Sequence, residues 1–165
     1  MHQQILTLLC GLFLLVPVLA VADSGGDGGG ASGSTMGSTM ERQKVDAQAV
    51  TAEYNTGYRQ LKAGDYKAAI KTFKRVLRAD SNHVMAYTNM AYSYRQLGKY
   101  EKAIKLYQVA LDLNPNQAEA HEYMGEAWLA LGKVEEAKKH LTILERLDPK
   151  LAEDLRAGIA RHNRS

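Results

Sequence analysis

Three glycines, Gly64, Gly98 and Gly132, stand 34 residues apart, and each opens a similar phrase: "GDYKAAIKTFKRVLRADS", "GKYEKAIKLYQVALDLNP" and "GKVEEAKKHLTILERLDP". A period of this length means one supersecondary unit, repeated. Such a unit cannot bury its apolar face alone and must stack on its neighbours. Other columns keep the same step: Tyr66, Tyr100 and Val134, then Ala69, Ala103 and Ala137, then Phe73, Tyr107 and Leu141. Upstream of each glycine lie Gly57, Ala91 and Gly125, followed by Gln60, Tyr94 and Trp128. Small residues let two helices approach closely, and large ones fill the spaces beside them. Two segments of each unit have helical periodicity. The glycine between them is placed to end the first helix in a left-handed turn.

These small, aromatic and proline columns at a 34-residue step resemble the tetratricopeptide repeat. The resemblance covers three units, 50–83, 84–117 and 118–151, nearly all of the segment that can fold. It implies an all-α superhelical solenoid of three helix-turn-helix repeats. Asn114-Pro115 and Asp148-Pro149 read as stop-and-cap signals that open the next helix with proline in its first turn, and Asp80-Ser81 as a weaker version. After Pro149, Leu151, Leu155 and Ile159 recur every four residues. They form one apolar stripe, expected on a capping helix over 152–162 that covers the last repeat; an amphipathic partner-binding helix is the other reading.

The stretch "AHEYMGEAW" raises the question of an enzyme, because His121-Glu122 resembles the start of a zinc-protease helix. That motif needs a second histidine one turn on, and the residue there is Gly125. Gly125 reads instead as a helix-crossing position and His121 as a partly buried packing residue. The other histidines beyond the leader, His83, His140 and His162, fall at dissimilar places in the repeat. Cys10, the only cysteine, lies in the leader, and no Gly-rich phosphate loop is present. No catalytic site, metal or cofactor is expected. The net charge of +3 is too small to imply nucleic acid.

Residues 5–22, "ILTLLCGLFLLVPVLAVA", carry no charge and end in the small-x-small pattern Ala20-Val21-Ala22. Residues 1–22 read as a signal peptide cleaved after Ala22; if retained, the run is long enough to act as an anchor. The preceding "MHQQ" lacks the usual Lys or Arg, and Leu9 before Cys10 argues against a lipoprotein. Export without a disulfide points to a bacterial periplasm. Residues 23–40, "DSGGDGGGASGSTMGSTM", read as a flexible linker, since Gly and Ser at this density bury little apolar surface. The domain then spans 41–165, with 41–49 extending the first helix.

In arrays of the resembling family the first helix of each repeat lines a concave groove that holds a peptide or helix. Carried over by position, the groove-facing residues are Tyr54, Tyr58 and Lys62, then Thr88, Asn89, Tyr92, Arg95 and Gln96, then Glu119, Glu122 and Glu126. Tyr92 is expected beside Tyr54 and Tyr58. The tyrosines offer broad contact at low rotamer cost, and Asn89 and Arg95 offer hydrogen bonds to a ligand. Glu119, Glu122 and Glu126 share one helix face, which is either simply solvated or awaits a cation. Chaperone-binding members clamp a peptide carboxylate with Lys, Asn and Arg. The matching positions here are Tyr54, Tyr58, Asn89, Glu119 and Tyr123, of which only Asn89 agrees.

The expected function is therefore a periplasmic adaptor in envelope-complex assembly, binding a protein or peptide partner with basic and apolar residues. A self-assembling scaffold is the alternative. Repeat charges of +4, +2 and −2 along the chain permit head-to-tail association. Lys67, Lys71, Lys74 and Arg78 form a basic stripe that suits an acidic partner or a membrane surface, or is simply an exposed convex face.

Overall fold

A computed structural model describes residues 35–164. The expected signal peptide, residues 1–22, and the first part of the expected linker lie outside the described residues. Seven helices follow in order: α1 (Thr35–Lys62), α2 (Tyr66–Ala79), α3 (Val84–Gln96), α4 (Tyr100–Leu113), α5 (Ala118–Ala130), α6 (Val134–Leu147) and α7 (Pro149–His162). The described residues contain no strand. Each helix packs on its sequence neighbours, and α1, α3, α5 and α7 also touch in series. The result is an all-α solenoid of three helical hairpins with α7 in the place where a fourth hairpin would begin.

The glycine turns have one geometry. Gly64, Gly98 and Gly132 have φ of 79°, 71° and 71°, the left-handed region that favours glycine. At each turn two backbone amides close the preceding helix in a Schellman motif. Gly98 N–H donates to Arg95 O and Lys99 N–H to Tyr94 O, both at 2.9 Å, with equivalent bonds at Gly64–Asp65 and Gly132–Lys133. The column of Ala69, Ala103 and Ala137 is fully buried. Beside it, Phe73 and Tyr107 fill the interior, while the burial expected of Leu141 falls mainly to Leu144.

Helix starts differ from the sequence expectation. Asp80 and Asn114 do not cap the next helix: their side chains accept from the amides of Asn82 (3.0 Å) and Asn116 (3.2 Å). These local Asx turns carry the chain further before the helix begins. The caps are then His83, whose Nδ1 accepts from Ala86 N–H, and Gln117, so Pro115 lies in the turn. At Asp148 the expectation holds. Its carboxylate accepts from the amides of Lys150 and Leu151, with Pro149 at the first helical position. The capping helix therefore begins at Pro149, three residues before the expected bound of 152.

α1 starts at Thr35, inside the expected linker, so residues 35–40 are helical rather than coil. Continuation from the 41–62 segment costs little once the helix is nucleated, because each added residue gains a hydrogen bond. Among the described residues no helix is long and apolar enough to cross a membrane.

Candidate binding groove

The tyrosines form two groups. Tyr54 stacks on Tyr58 (centroids 6.4 Å apart) and on His83 (4.8 Å), and its hydroxyl accepts from Asn89 Nδ2 at 2.9 Å. Burial, opposed by that hydrogen bond, raises the Tyr54 pKa. Tyr92 is not beside them. Its ring partners are Tyr66 at 6.5 Å and Tyr123 at 5.2 Å. Tyr92 occupies the same repeat column as Tyr58, one helix along, so it meets the residues of its own neighbours. Of the three tyrosines predicted to contact a ligand, Tyr58 is the most open, at 44% exposure.

Three predicted groove residues serve the protein's own structure. Thr88 is 1% exposed, and its hydroxyl bonds Val84 O and Gln117 Oε1. Asn89 is buried and used by Tyr54. Arg95 lies over the rings of Tyr92 (5.0 Å) and Tyr123 (5.4 Å), and its guanidinium pairs with Glu126 at 2.6 Å. The repeat explains its burial, since Arg95 stands in the column of Leu61 and Leu129. An arginine there lays its stem along apolar surface and carries its charge to the edge. Reading that column would have placed Arg95 inside. Neither Arg95 nor Asn89 is thus a free donor for a ligand.

Lys62, Gln96 and Glu119 are exposed. Glu122 is half-buried, and among the described residues nothing pairs with it. Burial, reinforced by Glu126, Asp154 and Glu119 and opposed by Arg95, pushes its carboxyl pKa up to about 7. Asp154 comes from α7, so the capping helix contributes to the acidic end of the groove. Tyr66, Tyr107 and Asp154 were not foreseen as part of this surround. Tyr107 is fully buried, and burial raises its pKa despite the charge and hydrogen bond of the neighbouring Arg95. The structure thus gathers a tyrosine wall and a carboxylate end on one side of the solenoid. Among the described residues no group of three potential metal ligands converges.

Stacked helical hairpins with a lined inner face define an α-solenoid of the kind that binds other proteins. The sequence profile of the tetratricopeptide repeat matches residues 54–118 and 88–152, two windows offset by one period, and the chain belongs to that family. The family is typically a non-catalytic protein-interaction fold. The chain is similar to the first TPR of Spaghetti (RPAP3) bound to the HSP90 peptide SRMEEVD, at 29% identity and TM-score 0.66, covering 72% of this chain and 95% of that one. It is similar at 30% identity and TM-score 0.64 to the second TPR domain of human RPAP3 in complex with an HSP70 peptide, covering 70% and 98%. PcrH in complex with the chaperone-binding region of PopD shares the fold, at 20% identity and TM-score 0.66, covering 71% and 92%. Among curated proteins none matches the chain.

Proposed function

We propose that this protein is a non-catalytic adaptor whose concave groove holds a partner segment carrying Lys or Arg beside apolar residues. The observation that carries this reading is the unpaired, half-buried Glu122 at the end of a tyrosine wall. A buried carboxylate without a partner is costly, and a ligand cation would offset that cost. Family membership supports peptide binding as such. The domain of Spaghetti is bound to a peptide with an acidic end. Here Glu119 and Tyr123 stand at clamp positions, and Asn89 is already engaged by Tyr54, so the groove favours the opposite charge.

Photo-crosslinking in cells tests the reading, with the reactive group at the open Tyr58 and a control at Lys71 on the outer face. One dominant protein captured at Tyr58 and not at Lys71 is the expected result. Capture mainly at Lys71, or self-crosslinks alone, would overturn it. Export to a periplasm and a role in envelope-complex assembly belong to the same proposal and are supported by residues 5–22. Sequencing the N-terminus of the mature protein should find Asp23; an intact leader would mean a membrane-anchored adaptor.

The self-assembling scaffold retains one supporting observation. On α6, Lys138 and Lys139 pair with Glu135 and Glu136, whereas among the described residues Lys67, Lys71, Lys74 and Arg78 have no such pairs. Their charge is available to the acidic end of a second copy or to an anionic surface. Mass measured against concentration at low and high salt decides it, since exposed charge contacts are screened. A monomer at all salt concentrations counts against the scaffold.

A further inference from the structure

The third repeat brings two histidines together between α5 and α6. His121, on α5 and only 5% exposed, has Nε2 at 2.9 Å from Pro115 O and Nδ1 at 3.0 Å from His140 Nδ1 on α6. A carbonyl oxygen can only accept, so His121 carries its proton on Nε2 and presents a lone pair at Nδ1. Without a metal, His140 must donate its own Nδ1 proton into that lone pair. The 34-residue frame does not require imidazoles here. The equivalent positions are Tyr87 and Leu106 in the second repeat and Glu53 and Thr72 in the first.

We propose that His121 and His140 form a two-imidazole site for a divalent transition-metal ion, bound through both Nδ1 atoms. Moving the His140 proton from Nδ1 to Nε2, by exchange with solvent, leaves two lone pairs converging. Two metal–nitrogen bonds of about 2.0–2.1 Å at a tetrahedral angle separate their nitrogens by roughly 3.3–3.4 Å. The present 3.0 Å falls a few tenths of an ångström short of that, and the two rings, now facing each other along the hydrogen bond, must also turn by roughly 35° each for their lone pairs to meet at one ion. The Pro115 carbonyl on the far nitrogen is the outer-shell contact that fixes the tautomer and orientation of a metal-binding histidine. Both ligands stand on packed helices rather than on loops, which favours precise placement. Imidazole donors suit Zn²⁺, Cu²⁺ and Ni²⁺.

The coordination is open. A cavity of about 700 Å³ lined by both histidines, Gln108, Asp112 and Asn116 adjoins the pair. No third protein ligand converges among the described residues, so water or a ligand group takes the remaining positions. A bound ion would tie the Pro115 turn, α5 and α6 together and stiffen the repeat that carries the acidic end of the groove.

The test uses the full chain without an affinity tag and with His2→Ala, because a terminal amine beside an imidazole binds copper by itself. Zn²⁺ calorimetry should give one ion per chain, with affinity at least tenfold weaker in His140→Ala and unchanged in His83→Ala. Cu²⁺ electron paramagnetic resonance should show two equatorial imidazole nitrogens in the parent and one or none in His140→Ala. His140 is only partly buried, so its removal leaves the fold intact, and thermal unfolding without metal checks this. Zn²⁺ binding that His140→Ala does not weaken, or no binding at all, would overturn the proposal. Groove crosslinking at Tyr58 is independent of either result.

Discussion

Replacing Gly125 with alanine would build a Cβ atom 2.6 Å from Leu155 Cδ2 and 2.9 Å from its Cδ1. Leu155 cannot simply swing clear: it is 1% exposed, enclosed with Leu129, Leu144, Ala152 and Ile159 between α5, α6 and α7. Relief therefore requires α7 to move away from α5 or Leu155 to leave its rotamer. Overpacking of this kind costs about 1–3 kcal/mol. The change also removes glycine from a helix interior, which returns about 1 kcal/mol. The net expectation is a loss of up to about 2 kcal/mol by denaturant unfolding, with amide exchange accelerated first in α7. A double-mutant cycle isolates the cause. Leu155→Ala alone should cost about 2–5 kcal/mol, but in that background Gly125→Ala has room and should be neutral or stabilising. Equal destabilisation by Gly125→Ala in both backgrounds would refute the account, as would a stabilising effect in the parent.

Further outcomes follow from single contacts. Glu122→Gln should raise stability at pH 8 by about 1 kcal/mol, below the full linkage value because the side chain remains half-exposed to solvent. The sign follows from a folded pKa raised to about 7 from 4.5: the stabilisation is fully present below 4.5 and lost as pH rises from there through 7, so the advantage of Gln should shrink across that window and vanish only below about pH 4 in paired melts. Tyr54→Phe strands the buried Asn89 amide and should cost about 1–2 kcal/mol in urea unfolding. Asp148→Ala removes the acceptor for two helix-start amides. It should cost about 1 kcal/mol, with faster exchange at Lys150 and Leu151.

The candidate groove residues were legible in part. Carrying first-helix positions across a 34-residue frame picked Tyr58, Glu119 and Glu122, which the structure leaves exposed or half-buried. It misassigned Thr88 and Asn89, because short polar residues at a groove edge look alike whether they face a ligand or bond inward. Their burial depends on partners distant in sequence, Gln117 and Tyr54. Asn114-Pro115 and Asp148-Pro149 look equivalent, yet only the second opens a helix at once. Asn114 spends its side chain on Asn116 N–H, whereas Asp148 bonds amides already in the helix.

Periodicity alone determined the hairpin count, the glycine turns and the small-residue crossings. Each depends on local backbone conformation or on a packing column that must recur wherever the unit recurs. What only the tertiary structure decided are contacts between columns. It set Arg95 against Glu126, brought Asp154 of the capping helix towards Glu122, and placed His121 against His140. A repeat states which residues share a position, and the rise and twist of the stacked helices decide which positions meet.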